Sequence, residues 1–519
     1  MYMKKTHCYN NTIKENSASS RLKHCGKMPE RGRYSRMKMK RTIALLLAGL
    51  MGISMAACGA KGTDGQDAGG NKTGAAGGSE TQNNAGDAAG NGAKDGAGDA
   101  DGAGSGTEPV LLKIWGGVPP EAGPQESVDR FNEAYQDRGI QAEYVYYVND
   151  DNGNLKLETT LMAGEGVDAY MCYDERYLSK RIEGGMALDL TDLCERDGFD
   201  IKELFGEEMV TSYEYDGVFY CIPTKRDQYG MMLNKDMFDE AGIPIPTEWT
   251  YSEFREIAKQ LTHGEGEQKV YGAFLNTQQN LLTTFQYFGV ASLGGDWMYN
   301  EDGTATNFTD PVMVESAQLA YDMMNVDGSA PTHVDSVTQK LSCDGMFMNE
   351  RTAMVPASWT VRNVKNLESY PHDFVTAFAP YPVPDNAEAP YIMGGVGDML
   401  CINPKSPNVD ACWEYVKWYS TEGVVPLAYG GRIPLCKSID MDEVNEYFFR
   451  DAEGLLDEES AKYVMIVPRG SYAFPTISPN AAELGDILSE EMEAVLNGKK
   501  TVEQGLADAK ERGDALLAK

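Results

Sequence analysis

The residues in this chain best placed to do chemistry are aromatic rings with small or polar neighbours. Trp115 closes an apolar run just before Gly116-Gly117, and Tyr173-Asp174 closes another. Tyr229 precedes Gly230, Trp297 follows Gly294-Gly295-Asp296, and Trp359 follows Ser358. Gly394-Gly395 offers bare backbone and Arg432 a planar fork of donors. Rings of this kind stack on the C–H faces of a polar ring, while planar side chains pair with its hydroxyls. Each residue also has a purely structural explanation. The tryptophans can be core, Asp174 can cap the helix that follows it, Tyr229 can pack locally, Gly395 can make a bend, and Arg432 can join a surface ion pair. Trp249 reads as a staple before a capping box, and Trp413 and Trp418 read as the core face of an amphipathic helix.

Other chemistries find little support. The histidines beyond the N-terminal region (His263, His333 and His372) lack metal-ligand spacing, so no metal site is expected. No G-x-S-x-G elbow or P-loop occurs, and Gly395-Val396-Gly397 lacks the third glycine of a dinucleotide loop. No catalytic residue and no cofactor are therefore expected. Carboxylates are too abundant for any pair of them to indicate acid–base catalysis. The formal net charge of −33 argues against nucleic-acid binding, which needs a basic surface.

That charge is unevenly distributed along the 519 residues. Residues 1–57 carry a net +10 and end in a basic cluster, Arg36 to Arg41, followed by the uncharged stretch Thr42 to Ala57. This is the pattern of a secretory signal, too short and too glycine-interrupted for a spanning helix. Met37 and Met39 are alternative starts. Met55-Ala56-Ala57-Cys58-Gly59 resembles a bacterial lipobox, which implies that Cys58 is lipidated and anchors the mature chain; an ordinary signal peptide beside a free cysteine is the alternative. Residues 58–109 are rich in Gly, Ala, Asp and Asn and are expected to form a disordered tether spanning roughly 40 Å. Seven cysteines follow, an odd number without C-x-x-C spacing, which suggests buried free thiols.

The elements that must position the rings read as α/β. Val110 to Trp115, Gln141 to Tyr147 and Asp168 to Tyr173 are predicted strands. Helices are expected between them, around Val128-Phe131-Tyr135 and over Leu155 to Met162, which is the order of a parallel sheet with helical crossovers. Thr250-Tyr251-Ser252-Glu253 is a capping box, Asp310-Pro311 opens a helix, Val409 to Tyr419 is helical, and a terminal helix runs from Lys500 to Leu517.

Several blocks, in order, carry a family resemblance. They include Leu161 to Ala169, Asp216-Gly217-Val218-Phe219-Tyr220-Cys221-Ile222-Pro223, and Tyr229 to Phe238 with Ala241-Gly242-Ile243 and Trp249. Phe347 to Val355 with Ser358-Trp359, Tyr381-Pro382-Val383-Pro384, Gly394-Gly395 through Val416, and Gly431-Arg432-Ile433-Pro434 continue the series. Over residues 110–510 the chain resembles an extracellular solute-binding protein of the carbohydrate ABC-importer type, related to maltodextrin-binding proteins. The resemblance implies a two-lobed periplasmic-binding-protein-like fold (type II), α/β, with residues 110–230 and 375–430 in lobe I and 231–374 and 431–519 in lobe II. Chain crossings are expected near Tyr229–Asn234, Phe374–Pro380 and Pro426–Arg432. It further implies a monomeric, non-enzymatic receptor for a sugar or oligosaccharide, bound in the cleft and handed to membrane permease subunits. Trp115, Tyr173, Asp174, Tyr229, Trp297, Trp359, Gly395 and Arg432 are the expected ligand-binding residues. A non-sugar solute such as a peptide or polyamine, a sensor or adhesin role, and a secreted glycan hydrolase are the alternatives.

Overall fold

The computed structural model describes residues 109–275, 288–473 and 480–518, all within one compact unit, Asp101–Lys519. The expected signal segment, lipidated Cys58 and tether lie outside the described residues.

The chain opens as its hydrophobic pattern predicts. Strand β1 (Val110–Gly116) leads to a helix at Pro124–Ala134, then β2 (Ile140–Tyr146), a helix at Asp151–Ala163, and β3 (Ala169–Cys172). β1 lies between β2 and β3 and is parallel to both. The small hairpin β4 (Glu214–Tyr215) and β5 (Val218–Phe219) precedes β6 (Ile222–Gln228). The chain then leaves for a second sheet made of β7 (Met231–Asn234), β8 (Tyr271–Ala273), β9 (Thr352–Val355) and β10 (Thr376–Ala379). It returns through the short β11 (Tyr391–Ile392) into β12 (Gly394–Ile402), and later through β13 (Ile433–Pro434). Last comes β14 (Ser471–Tyr472), parallel to β11.

The first sheet has the order β13-β6-β12-β3-β1-β2, with β12 antiparallel to both β3 and β6. The second has the order β10-β7-β9-β8. The chain passes from the first sheet to the second at Tyr229-Gly230. The second crossing is later than expected: β10 pairs with β7 in the second sheet, so residues 376–379 belong to lobe II, and the chain crosses back only between Ala379 and Gly394. β13 likewise stays on the first sheet against β6, so the last departure follows Pro434. Ala377-Phe378-Ala379 lacks a signal for its partner because a short buried strand reads alike in either sheet.

Each lobe has its own core. Leu112, Ile114, Phe131, Leu157, Ile222, Leu400 and Trp413 fill lobe I. In lobe II the period-two alternation of strands separates two layers. Met231 and Leu233 face Phe254, Phe308 and Leu488, whereas Met232 faces Phe347, Phe378 and Phe448. The Thr250–Glu253 capping box and a second one at Thr501–Gln504 start the helices Tyr251–Leu261 and Val502–Leu517. Trp249 is 4% exposed, its indole donating to the Pro380 carbonyl at 2.7 Å. The seven cysteines of the folded part form no disulfide among the described residues, and six are buried. Burial pushes the Cys172 and Cys412 thiols up to about 12 and the Cys194 thiol up to about 11.

Lys365, at the end of the helix Val361–Lys365, is also buried. Its ammonium nitrogen donates to the carbonyls of Tyr429, at 2.8 Å, and of Phe448. Burial lowers its pKa to about 7, and a neutral amine has two N–H donors for these two acceptors. Between that value and the ordinary lysine range near 10.4, the unfolded chain takes up a proton that the native state does not. Stability should therefore fall as pH drops from about 10 to about 7, by a few kcal/mol, and then level off. Urea unfolding of wild type and Lys365→Met at several pH values should show this slope disappearing in the variant. Equal slopes would mean that Lys365 keeps its proton.

Candidate functional site

A cavity of about 190 Å³ lies where the two lobes meet. Its lobe I lining includes Tyr173, Tyr213, Val396 and Met399, and its lobe II lining includes Val290, Trp297 and Ala473. The floor is made by the crossing strands. Lys225 and Asp227 on β6 contribute, as does Tyr229 just beyond it, and Met393 to Asp398 run along or beside β12. The two strands are in register, Gly395 opposite Asp227 and Gly397 opposite Lys225. They approach closely, since a Cβ on Gly394 would come within 2.1 Å of the Asp227 carbonyl. The bare backbone at Gly394 thus serves strand pairing.

The floor carries an alternating chain of charge. The Tyr229 hydroxyl donates to Asp227 Oδ2 at 2.6 Å, and the same oxygen accepts from Lys225. Lys225 Nζ is also 3.5 Å from Asp398 Oδ1, and Asp398 Oδ2 accepts from Arg432 Nε at 2.9 Å. These side chains are only 3–18% exposed. Burial alone would lower the Arg432 pKa, but Asp398 beside it keeps it above the usual arginine value. Asp398 has φ of 49°, a left-handed conformation that costs a non-glycine residue about 1–3 kcal/mol and that often marks a functional position. Around this floor, Tyr213 donates to the Val396 carbonyl at 2.7 Å, and the Tyr173 hydroxyl accepts from Gly117 N at 2.7 Å. Burial raises the Tyr173 pKa well above its ordinary value.

Four of the sequence-predicted residues, Tyr173, Tyr229, Trp297 and Gly395, therefore line one cavity. Trp359 stands behind it, packed edge-on against Tyr229 with ring centroids 5.6 Å apart. Arg432 is joined to the lining through Asp398 rather than to a surface partner. Two expectations are corrected. Trp115 is 7% exposed, belongs to the lobe I core, and spends its indole N–H on the Gly166 carbonyl at 2.7 Å. The void it borders holds only about 10 Å³ and adjoins the cavity at Tyr173 and Asp398. Asp174 sits outside the lining and opens the helix Glu175–Glu183, its carbonyl accepting from Leu178 N at 3.1 Å. Trp115→Phe should cost about 1–2 kcal/mol of stability through the lost hydrogen bond and volume. Ligand affinity should stay within twofold, roughly the scatter of a neutral position. A tenfold loss of affinity by calorimetry would return Trp115 to the site.

Tyr213, Lys225, Asp227 and Asp398 were not singled out from the sequence. A signal existed for three of them. Lys225 and Asp227 interrupt a strand that starts Cys221-Ile222, and Asp398 is the single charge in Val396 to Ile402. A lone charge in an apolar strand must find a partner on burial.

Two α/β lobes, strands crossing between them and a lined cavity at the junction define the class of hinged solute receptors. Residues 116–426, more than half of the chain, match the bacterial extracellular solute-binding protein family, and the chain belongs to that family. A binding protein of Brucella abortus (strain 2308) is 25% identical over 378 residues, covering 70% of this chain and 83% of that one. The maltotriose-binding protein of Pyrococcus abyssi is 23% identical over 312 residues, or 59% of this chain and 63% of that protein. Among solved structures, the Listeria monocytogenes ABC substrate-binding protein in complex with cycloalternan superposes with a TM-score of 0.61 at 20% identity, covering 79% of this chain and 99% of that one. The family is one of binding proteins, and membership implies export. Among the described residues, no helix is long and apolar enough to cross a membrane and no His, Cys, Asp or Glu group is arranged to hold a metal ion.

Proposed function

We propose that this protein is a lipid-anchored extracellular receptor that binds a sugar or oligosaccharide between its lobes and delivers it to an ABC importer. The observation that carries the reading is the composition of the interlobe cavity. Tyr173, Tyr213, Tyr229 and Trp297 supply ring faces, and Asp227 and Lys225 supply polar groups on rigid strands between them. That is the pairing of stacking and directional hydrogen bonding that a sugar requires. The maltotriose- and cycloalternan-binding relatives support the same ligand class. Cys58, after a basic cluster and an uncharged run, supports anchoring. The acidic body, net about −38 beyond residue 109, would keep the receptor soluble and off an anionic membrane.

A thermal-shift screen tests the ligand class directly. A sugar at 100 times its Kd should add about 2.7 kcal/mol to native stability. Small-angle scattering should then show the lobes closing on that sugar. Stabilisation by peptides or polyamines, and by no sugar, would overturn the reading. Incorporation of labelled palmitate that survives in Cys58→Ala would overturn the anchor.

A further inference from the structure

Two arginines from opposite lobes meet beside this cavity. Arg432 lies on the segment leading into β13, and Arg362 lies on the lobe II helix Val361–Lys365. The residues just before them touch, since a Cβ on Gly431 would come within 2.6 Å of Val361 Cγ1. Arg432 is held by one nitrogen, Nε, on Asp398, which leaves Nη1 and Nη2 without a protein partner among the described residues. Arg362 is steadied by Nη1 on the Trp359 carbonyl at 3.2 Å, and Trp359 in turn packs on the cavity residue Tyr229. No described carboxylate lies within 4 Å of the Arg362 guanidinium. Asp344 influences it from further away, and the neighbouring Arg432 charge together with burial depresses its pKa.

The charges of this corner are unevenly paired. Asp227 and Asp398 are bonded or ion-paired to Lys225 and Arg432, whereas Arg362 has only Asp344 acting from further away. Arg362 thus has no carboxylate in direct contact, and Arg432 commits only its Nε to one. Guanidinium forks match the two oxygens of a carboxylate or phosphate.

We propose that Arg362 and Arg432 form an oxyanion-binding corner of the cleft, and that the solute is a sugar bearing a carboxylate or phosphate group. This rests on the sugar reading above and specifies it further. Lobe closure would bring the anion between one arginine from each lobe, so that the charged group also reports closure.

The test is calorimetry on the exported chain with three matched disaccharides: neutral, uronic-acid-containing and phosphorylated. An acidic sugar should bind more tightly than its neutral counterpart, and the uronide and phosphate arms tell the two oxyanions apart. In Arg362→Gln the acidic-to-neutral affinity ratio should fall about tenfold, the loss of one charge-assisted fork, and Arg362→Lys should fall in between. The melting temperature of each ligand-free variant shows that it is folded. Neutral sugars binding as tightly as acidic ones would overturn the anion corner and leave the sugar reading intact. So would an affinity ratio unchanged in Arg362→Gln. Binding of no sugar of any kind would overturn both.

Discussion

Replacing Asp398 with alanine is expected to destabilise the protein by about 3–5 kcal/mol, the cost of stripping the partner from buried charges. Asp398 is 3% exposed and takes Arg432 on one oxygen and Lys225 on the other. Its removal leaves Lys225 with Asp227 but leaves Arg432 buried with no carboxylate in contact. The backbone adds to the loss, because alanine tolerates φ of 49° less well than aspartate, whose side chain can bond locally. Asn at the same position keeps an acceptor and a left-handed preference, so Asp398→Asn should lose roughly half as much. Urea denaturation of the three proteins would measure this. A loss below about 1 kcal/mol for the alanine variant, the range of an exposed pair, would show that the ion chain is solvated in solution.

The second large effect concerns binding. Trp297→Ala should weaken sugar affinity about a hundredfold, the scale of a central aromatic anchor. Trp297 is 5% exposed and lines the cavity from lobe II, facing a floor that belongs to lobe I. Its loss removes a ring face from one wall and opens a void in the lobe II core. Trp297→Phe keeps a smaller ring there and should fall between the two. Titration calorimetry below the melting temperature of each variant separates affinity from stability. Unchanged affinity in Trp297→Ala would make the ring a core residue alone.

The elements were largely legible because each carries its own local signal. The apolar run Val110 to Trp115, the Thr250–Glu253 box and the Asp310-Pro311 start all fix structure within a few residues of themselves. Long-range pairing was less legible. Residues 376–379 read as a buried strand in either lobe, and only their pairing with β7 assigns them to the second sheet. The site followed the same division. Tyr173, Tyr229, Trp297 and Gly395 stand at loop and strand ends, where exposure to a cleft can be read from context. Trp115 stands at such an end too, but its ring packs in the lobe I core with its indole N–H on the Gly166 carbonyl. The charged floor was missed because it depends on which strands are neighbours: Lys225, Asp227 and Asp398 gain their meaning only when β6 lies beside β12.

The cysteine thiols bear on how the protein reaches its working state. In the native fold burial pushes the Cys172 thiol up to about 12, some three units above an ordinary cysteine. That lowers its thiolate population at neutral pH by about a thousandfold, and slows its attack on oxidants and disulfides, for which the thiolate is the nucleophile. Native chain and nascent chain therefore differ sharply in chemical vulnerability. A polypeptide emerging unfolded outside the cell presents all seven of these sulfurs at ordinary reactivity, and a bridge formed then would have to be broken before the fold could bury those sulfurs as thiols. Maturation is a race between burial and oxidation, and an oxidant pulse should trap the protein only during the seconds or minutes before its two cores close.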